Sequence, residues 1–164
     1  MEPITVTTTI SRPREEIFDY LADVANHPEF TDHYLVDWHL TREDSLGTGA
    51  GARFRVKAPL NRFSWADMTL AEVQPPFRIV HRGRGGKYNR TRMLGVYTLS
   101  PGSGGTTRVQ YTYETEPALL SDRLMEGISR GWTRRQVTKS MRRLRTILEE
   151  GRGRGRRASV AGRD

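Results

Sequence analysis

"SRPREEIFDYLADVANHPEF" (residues 11–30) begins as an amphipathic helix and stops within about four turns. Pro13 stands in the first turn, where its missing N–H costs nothing. Glu15 and Glu16 lie near the positive end of the helix dipole. Ile17, Leu21, Val24 and Ala25 recur at helical spacing with Phe18 beside them, which makes one apolar stripe. His27-Pro28 ends the helix, because the residue before a proline disfavours the helical region, and "PEFTDHY" (28–34) reads as one more short turn. The stretch follows a single strand, "ITVTTTI" (4–10), with Ile4, Val6, Thr8 and Ile10 on one face.

Downstream the period changes to two. Val36, Trp38 and Leu40 alternate with Asp37 and His39. Phe54 and Val56 alternate with Arg53, Arg55 and Lys57, and Ala66, Met68 and Leu70 with Trp65, Asp67 and Thr69. Phe77, Ile79 and His81 begin the strand after the turn "QPPF" (74–77). Met93, Tyr97 and Leu99 follow the turn signal "GRGG" (83–86), and Val109, Tyr111 and Tyr113 follow "SPGSGG" (100–105). With the first strand, the pattern predicts seven strands, the last six an antiparallel meander. Phe54, Val56, Met68, Leu70, Ile79, Met93, Tyr97, Val109, Tyr111 and Tyr113 form the inward set. Arg53, Arg55, Arg108 and Gln110 form the outward one, since a slip of one residue would invert a whole strand.

From about Ala118 to Glu150 the period is helical again. Leu120, Leu124, Ile128 and Trp132 step by four, and the series resumes at Val137, Met141, Leu144 and Leu148. Gly127 and Gly131 each weaken this helix by roughly 1 kcal/mol against alanine, so they imply a close backbone neighbour or space left open. "GRGRGRRASVAGRD" (151–164) has no apolar periodicity and predicts a disordered basic tail after a single domain over 1–150.

The 164 residues suffice for one domain with a core. No run approaches a membrane span, no secretory pattern opens the chain, and there is no cysteine. Disulfides, thiolate catalysis and cysteine metal sites are excluded, and a cytoplasmic location is expected. The net charge of +8 is local. Residues 1–121 hold 14 basic and 14 acidic side chains, and residues 122–164 hold 13 against 5. The body of the domain therefore has no general attraction for phosphate. Nucleic acid, an anionic membrane or an acidic protein is an expected partner only through the basic C-terminal helix and tail.

The order of elements and the strings "SRPREEIFDYLAD…HPEF", "GAGARFRV", "EVQPPFRIV", "YTLSPGSGGTTRVQYTYETEP" and "RRLRTILE" resemble the START and birch-pollen-allergen superfamily (SRPBCC). Within it they resemble the bacterial polyketide cyclase/dehydrase and lipid-transport group, over residues 2–150. The resemblance implies an α+β helix-grip fold. In that fold a curved antiparallel sheet wraps a long C-terminal helix, two short helices follow the first strand, and an apolar cavity lies between sheet and helix. The broken helix of residues 11–30 then becomes the end-wall of that cavity, and the two glycines leave room for a ligand. Phe30 stands where many relatives carry tryptophan.

The expected function is binding of a small hydrophobic or amphipathic molecule, as carrier or sensor, with no cofactor and no metal. Alternatives are a polyketide cyclase or dehydratase and an interaction module using the basic tail. The expected ligand contacts are Phe54, Val56, Met68, Leu70, His81, Met93, Tyr97, Tyr111, Tyr113, Leu124, Ile128 and Trp132. An enclosed void above about 300 Å³ would favour ligand binding, since small-molecule sites start near that size. His81, Tyr111 and Tyr113 are the candidate acid/base groups, because buried tyrosines and histidines seek hydrogen-bond partners. His81 is expected to be the only inward histidine. The histidines and acids of "HPEFTDHYLVDWH" (27–39) match no metal-ligand spacing and read as a turn and a solvated strand face. Asp67 is read as outward-facing by parity.

Overall fold

The computed structural model describes residues 2–117 and 119–162, and all of their side chains except those of residues 122, 125, 126 and 128. Strand β1 (Ile4–Ile10) leads into α1 (Arg14–Ala22), a 3-10 turn at Val24–Asn26, and α2 (His27–Thr31). Pro28 does not end the helical run. It occupies the opening turn of α2, where its missing N–H is harmless, and the break falls earlier, at Asp23, whose side chain caps the 3-10 turn by accepting from the Ala25 N–H. The strands β2 (Leu35–Leu40), β3 (Gly51–Val56), β4 (Trp65–Gln74), β5 (Arg78–Gly85), β6 (Thr91–Pro101) and β7 (Thr107–Glu116) follow as an antiparallel meander, and α3 runs over Leu120–Glu150. Gly151 stops α3 in the left-handed region, its N–H bonded to the Ile147 carbonyl.

The sheet is open, in the order β1-β7-β6-β5-β4-β3-β2-β8, and has eight strands rather than seven. The extra strand, β8 (Ser159–Val160), belongs to the segment expected to be disordered and pairs in parallel with His39–Leu40 of β2. The basic residues of this segment find carboxylates far away in sequence. Arg154 donates to both oxygens of Glu29 (2.9 and 3.0 Å), Arg157 donates to Asp23, and the Ala158 N–H bonds the Ala25 carbonyl. Local composition signals disorder only when no partner surface exists, and here the outer side of α1–α2 is acidic.

The inward parity holds along the meander. Phe54, Met68, Leu70, Ile79, Tyr97, Val109 and Tyr111 are buried, Val56, Met93 and Tyr113 are half-buried against the core, and Arg53, Arg55 and Arg108 are exposed. Gln110 lies on the outer face, half-buried. A bulge between Leu70 and Glu72 shifts register only beyond Leu70, so Asp67 stays on the outer face, accepting the Arg84 N–H at 3.1 Å. One turn assignment changes. Gly83 and Gly85 are strand residues of β5, and the reversal falls at Gly86–Arg90. In β2 an irregularity between Val36 and His39, with Asp37 at φ 55°, brings Leu35 as well as Trp38 to the inner face.

The helix α3 is two-sided in another sense. Val137, Met141, Leu144 and Ile147 are buried against the sheet and α2, whereas Leu120 and Leu124 are exposed. Among the described residues no helix is long and apolar enough to cross a membrane.

Candidate functional site

A cavity of about 110 Å³ lies between the inner face of the sheet and the middle of α3. Its walls are aromatic because inward positions on adjacent strands carry rings in register. Trp38 of β2 packs on Phe54 of β3 at 4.6 Å, and across the sheet Tyr97 of β6 stacks on Tyr111 of β7 at 4.4 Å, with Tyr113 beyond it. α2 and the turn after it supply His27, Phe30, Thr31 and Tyr34, and α3 supplies Trp132, Thr133, Val137, Ser140 and Met141. Space exists because the sheet carries glycine at inward positions. A Cβ on Gly95 would lie 2.1 Å from His81 Nε2 and 2.7 Å from the Tyr111 hydroxyl. Gly95 therefore lets these two side chains meet across β6, with Nε2 and hydroxyl 3.0 Å apart.

The polar groups inside are neutral. Burial, helped by neighbouring His27, pushes the His81 imidazole down to about 3. His27 is 3% exposed; burial lowers its pKa too, and its Nε2 lies 2.8 Å from the Leu21 carbonyl, so this nitrogen carries the proton and Nδ1 is the acceptor. Burial raises Tyr97 and Tyr111 well above the ordinary phenol range, and pushes Tyr34 up to about 12 against the opposing effect of its bond to Ser140. Among the described residues no Lys or Arg lines the cavity, and Asp67, which adjoins it from β4, turns its carboxylate to the outer face, where it accepts the Arg84 N–H.

The interior adjoins an open mouth of about 450 Å³, and the two share Val56, Met93, Tyr113, Trp132 and Thr133. The rest of the mouth comes mainly from residues 58–66, which include the β3–β4 loop, with Gly85–Lys87, Thr91, Thr115 and Ser129. The interior alone falls below the roughly 300 Å³ expected of an enclosed void, and the space reaches small-molecule size only when the open mouth is counted.

Of the expected contacts, Phe54, Val56, Met68, His81, Met93, Tyr97, Tyr111, Tyr113 and Trp132 line the cavity. Leu70 does not. It is fully buried where its backbone N–H and carbonyl bond Ala50 and Gly49, so its side chain fills solid core. Leu124 is 74% exposed, and Ile128 lies outside the described side chains. A Cβ on Gly127 or Gly131 meets nothing within 4 Å, but both positions face solvent, so the glycines do not make room for a ligand. His27 corrects the expectation of a single inward histidine. Glu29, read as part of a turn, is 1% exposed beneath Arg154, while Asp32 and His33 bind Arg143. Among the described residues no three His, Cys, Asp or Glu side chains converge as metal ligands would. For Leu35 and His27 the only sequence signal was adjacency to the helix break.

The comparisons with known proteins agree with this architecture. Residues 1–149 match the family described as polyketide cyclase/dehydrase and lipid transport. The chain belongs to that family. Solved structures share its fold at low identity. A Deinococcus radiodurans protein is 18% identical with a TM-score of 0.62, covering 92% of this chain and 99% of its own. Truncated norcoclaurine synthase from Thalictrum flavum is 10% identical with a TM-score of 0.69, covering 91% and 94%. DynU16, of the dynemicin biosynthetic locus, is 18% identical with a TM-score of 0.59, covering 94% of this chain and 50% of its own. Curated proteins give no match. The strap formed by residues 152–160 lies beyond the matched region.

Proposed function

We propose that this family member binds a small, uncharged, planar molecule bearing hydroxyl or carbonyl groups, as a carrier or sensor. The observation that carries the reading is the lining itself: aromatic rings packed on two walls, the neutral His81–Tyr111 pair, and no cation inside among the described residues. An apolar body gains by burial at roughly 25 cal/mol per Å², and its oxygens are met by phenol and imidazole. A carboxylate or phosphate would find no counter-charge in the interior, so an amphipathic ligand would keep such a group at the mouth, near Lys87.

A second reading, a cyclase or dehydratase, is favoured by the His81–Tyr111 contact, and the name of norcoclaurine synthase attaches an enzyme to a related fold. Acid–base catalysis works best with a group whose pKa lies near the operating pH. His81 lies far below it and no free carboxylate accompanies it, which favours binding over chemistry. Native mass spectrometry of freshly purified protein tests the binding reading. A co-purifying small molecule, lost or weakened in Tyr111→Phe, is the expected result. A protein that arrives empty and gives no fluorescence rise with an apolar probe such as anilinonaphthalene sulfonate refutes it. Turnover of an added phenolic polyketide substrate, lost in His81→Gln, would replace it with the enzyme reading.

A further inference from the structure

We propose that the rim of the cavity mouth is a docking face for an anionic lipid membrane. This does not depend on what the cavity binds; it follows from what surrounds the opening. Leu60, 91% exposed, and Phe63 stand on the β3–β4 loop that forms one side of the mouth. Tyr88, 79% exposed, stands on the β5–β6 loop, next to Lys87, whose ammonium lies 5.9 Å from the Phe63 ring and 5.3 Å from the Tyr88 ring. On the helix side, Leu120 and Leu124 continue outward the stripe that ends in Trp132 at the mouth. Exposed aliphatic and aromatic side chains are thus gathered at one end of the molecule.

The backbone adds an independent sign. Leu60 and Tyr88 hold φ values of 61° and 58°, the left-handed region that bulky residues avoid. A turn needing only to reverse the chain would take Gly or Asn there. Strain of this kind at two neighbouring tips, each presenting an apolar side chain to solvent, points to a use for the side chain.

The charges identify the partner. Residues 57–66 hold Lys57 and Arg62 and no acid; residues 82–93 hold five basic residues and no acid. Some arginines of the molecule are paired with carboxylates, as in Arg12–Glu16, Arg55–Asp37, Arg78–Glu72, Arg143–Asp32 and, beside the cluster, Arg92–Glu116. Among the described residues no carboxylate lies within ion-pair distance of Lys57, Arg62, Lys87 or Arg90. Unmatched cations at the base of apolar tips suit a membrane surface, where the tips enter the headgroup–acyl boundary and the cations meet lipid phosphates. Nucleic acid would satisfy the cations but give leucine tips nothing to bury against. Docked in this way, the mouth opens directly towards the acyl region.

The test is flotation of the full chain, with no ligand added, with vesicles of phosphatidylcholine alone or mixed with phosphatidylglycerol. Binding to the mixed vesicles only, weakened by salt, is expected. Lys87→Gln should lower the partition about fivefold. Leu60→Asn should lower it about tenfold while leaving the melting temperature unchanged or higher, because Asn tolerates the left-handed turn. No vesicle binding, equal binding to both compositions, or a Leu60→Asn variant that floats normally would overturn the proposal. A Leu60→Asn variant that melts lower would make Leu60 a packing residue and overturn it as well. Tight binding of a duplex oligonucleotide, undiminished in Leu60→Asn and outcompeting the vesicles, would reassign the cations to nucleic acid.

Discussion

Gly95 and His81 show how much of the cavity depends on single residues. Gly95→Ala would put a methyl 2.1 Å from His81 Nε2, so it should cost about 1–3 kcal/mol as overpacking and reduce ligand binding with it. A denaturation midpoint and a probe titration on the same variant check both. His81 also predicts a pH dependence. Its folded pKa is depressed to about 3, below the unfolded value of about 6.5, so the unfolded chain takes up a proton that the folded one refuses. Stability is therefore fully present above about pH 6.5 and falls as the pH drops towards 3, with a slope of up to about 1.4 kcal/mol per pH unit from this group. Buried His27 acts in the same direction. Urea midpoints across that range should show the decline, and His81→Gln should flatten it. A wild-type curve that is level from pH 7 to pH 4 would mean that His81 is open to solvent.

Among the elements, the strap and α3 carry the clearest expectations. Arg154 closes over the buried Glu29 carboxylate, and α2, which bears Glu29, also bears His27 and Phe30 of the cavity. Arg154→Ala should cost about 1–3 kcal/mol, as for a lost hydrogen-bonded charge partner, discounted because Arg154 itself is largely exposed. Truncation after Glu150 should cost at least as much, and Glu29→Gln should recover part of the Arg154→Ala loss, since a buried amide needs less than a carboxylate. An unchanged melting temperature on truncation would return residues 151–164 to a free tail. In α3 the sign reverses. Gly127→Ala and Gly131→Ala should each stabilise by about 0.5–1 kcal/mol, because both glycines face open space within a helix, and probe binding should not change.

For the molecule as a whole, interior and mouth adjoin where Thr133 and Trp132 line both, and on the proposed function they serve as one ligand space. Thr133→Phe puts bulk at that junction on a half-buried helix position. It should lower probe affinity about tenfold or more and shift the denaturation midpoint by less than about 1 kcal/mol, since the space it fills is empty. Loss of stability without loss of binding would mean that the junction is solid and the cavity closed. The charge of the molecule also reads differently after folding. The excess of +8 sits in the C-terminal quarter, yet Arg154 and Arg157 are spent on Glu29 and Asp23, while the unmatched Lys87 and Arg62 stand at the mouth.

The amino-acid sequence by itself determined the strands, their inward faces, the long helix and, through resemblance, the helix-grip arrangement. These follow from periods of two and 3.6, which are local, and a strand's parity is set once its neighbours are paired. That is why Phe54, Met68, Tyr97 and Tyr111 were legible as cavity-facing. Tertiary structure alone decided the rest. Periodicity says which side chains share a face and not whether anything covers it, so Leu124 and the two helix glycines were read as roofing a cavity when all three positions are exposed. Parity is blind to residues without side chains, so the part played by Gly95 in making room for His81 and Tyr111 emerged only when three strands were aligned. Glu29, Asp23 and the tail arginines lie more than 120 residues apart. Their pairing is a long-range electrostatic fit that no local pattern encodes, which is why a strap that looked disordered folds onto the end-wall.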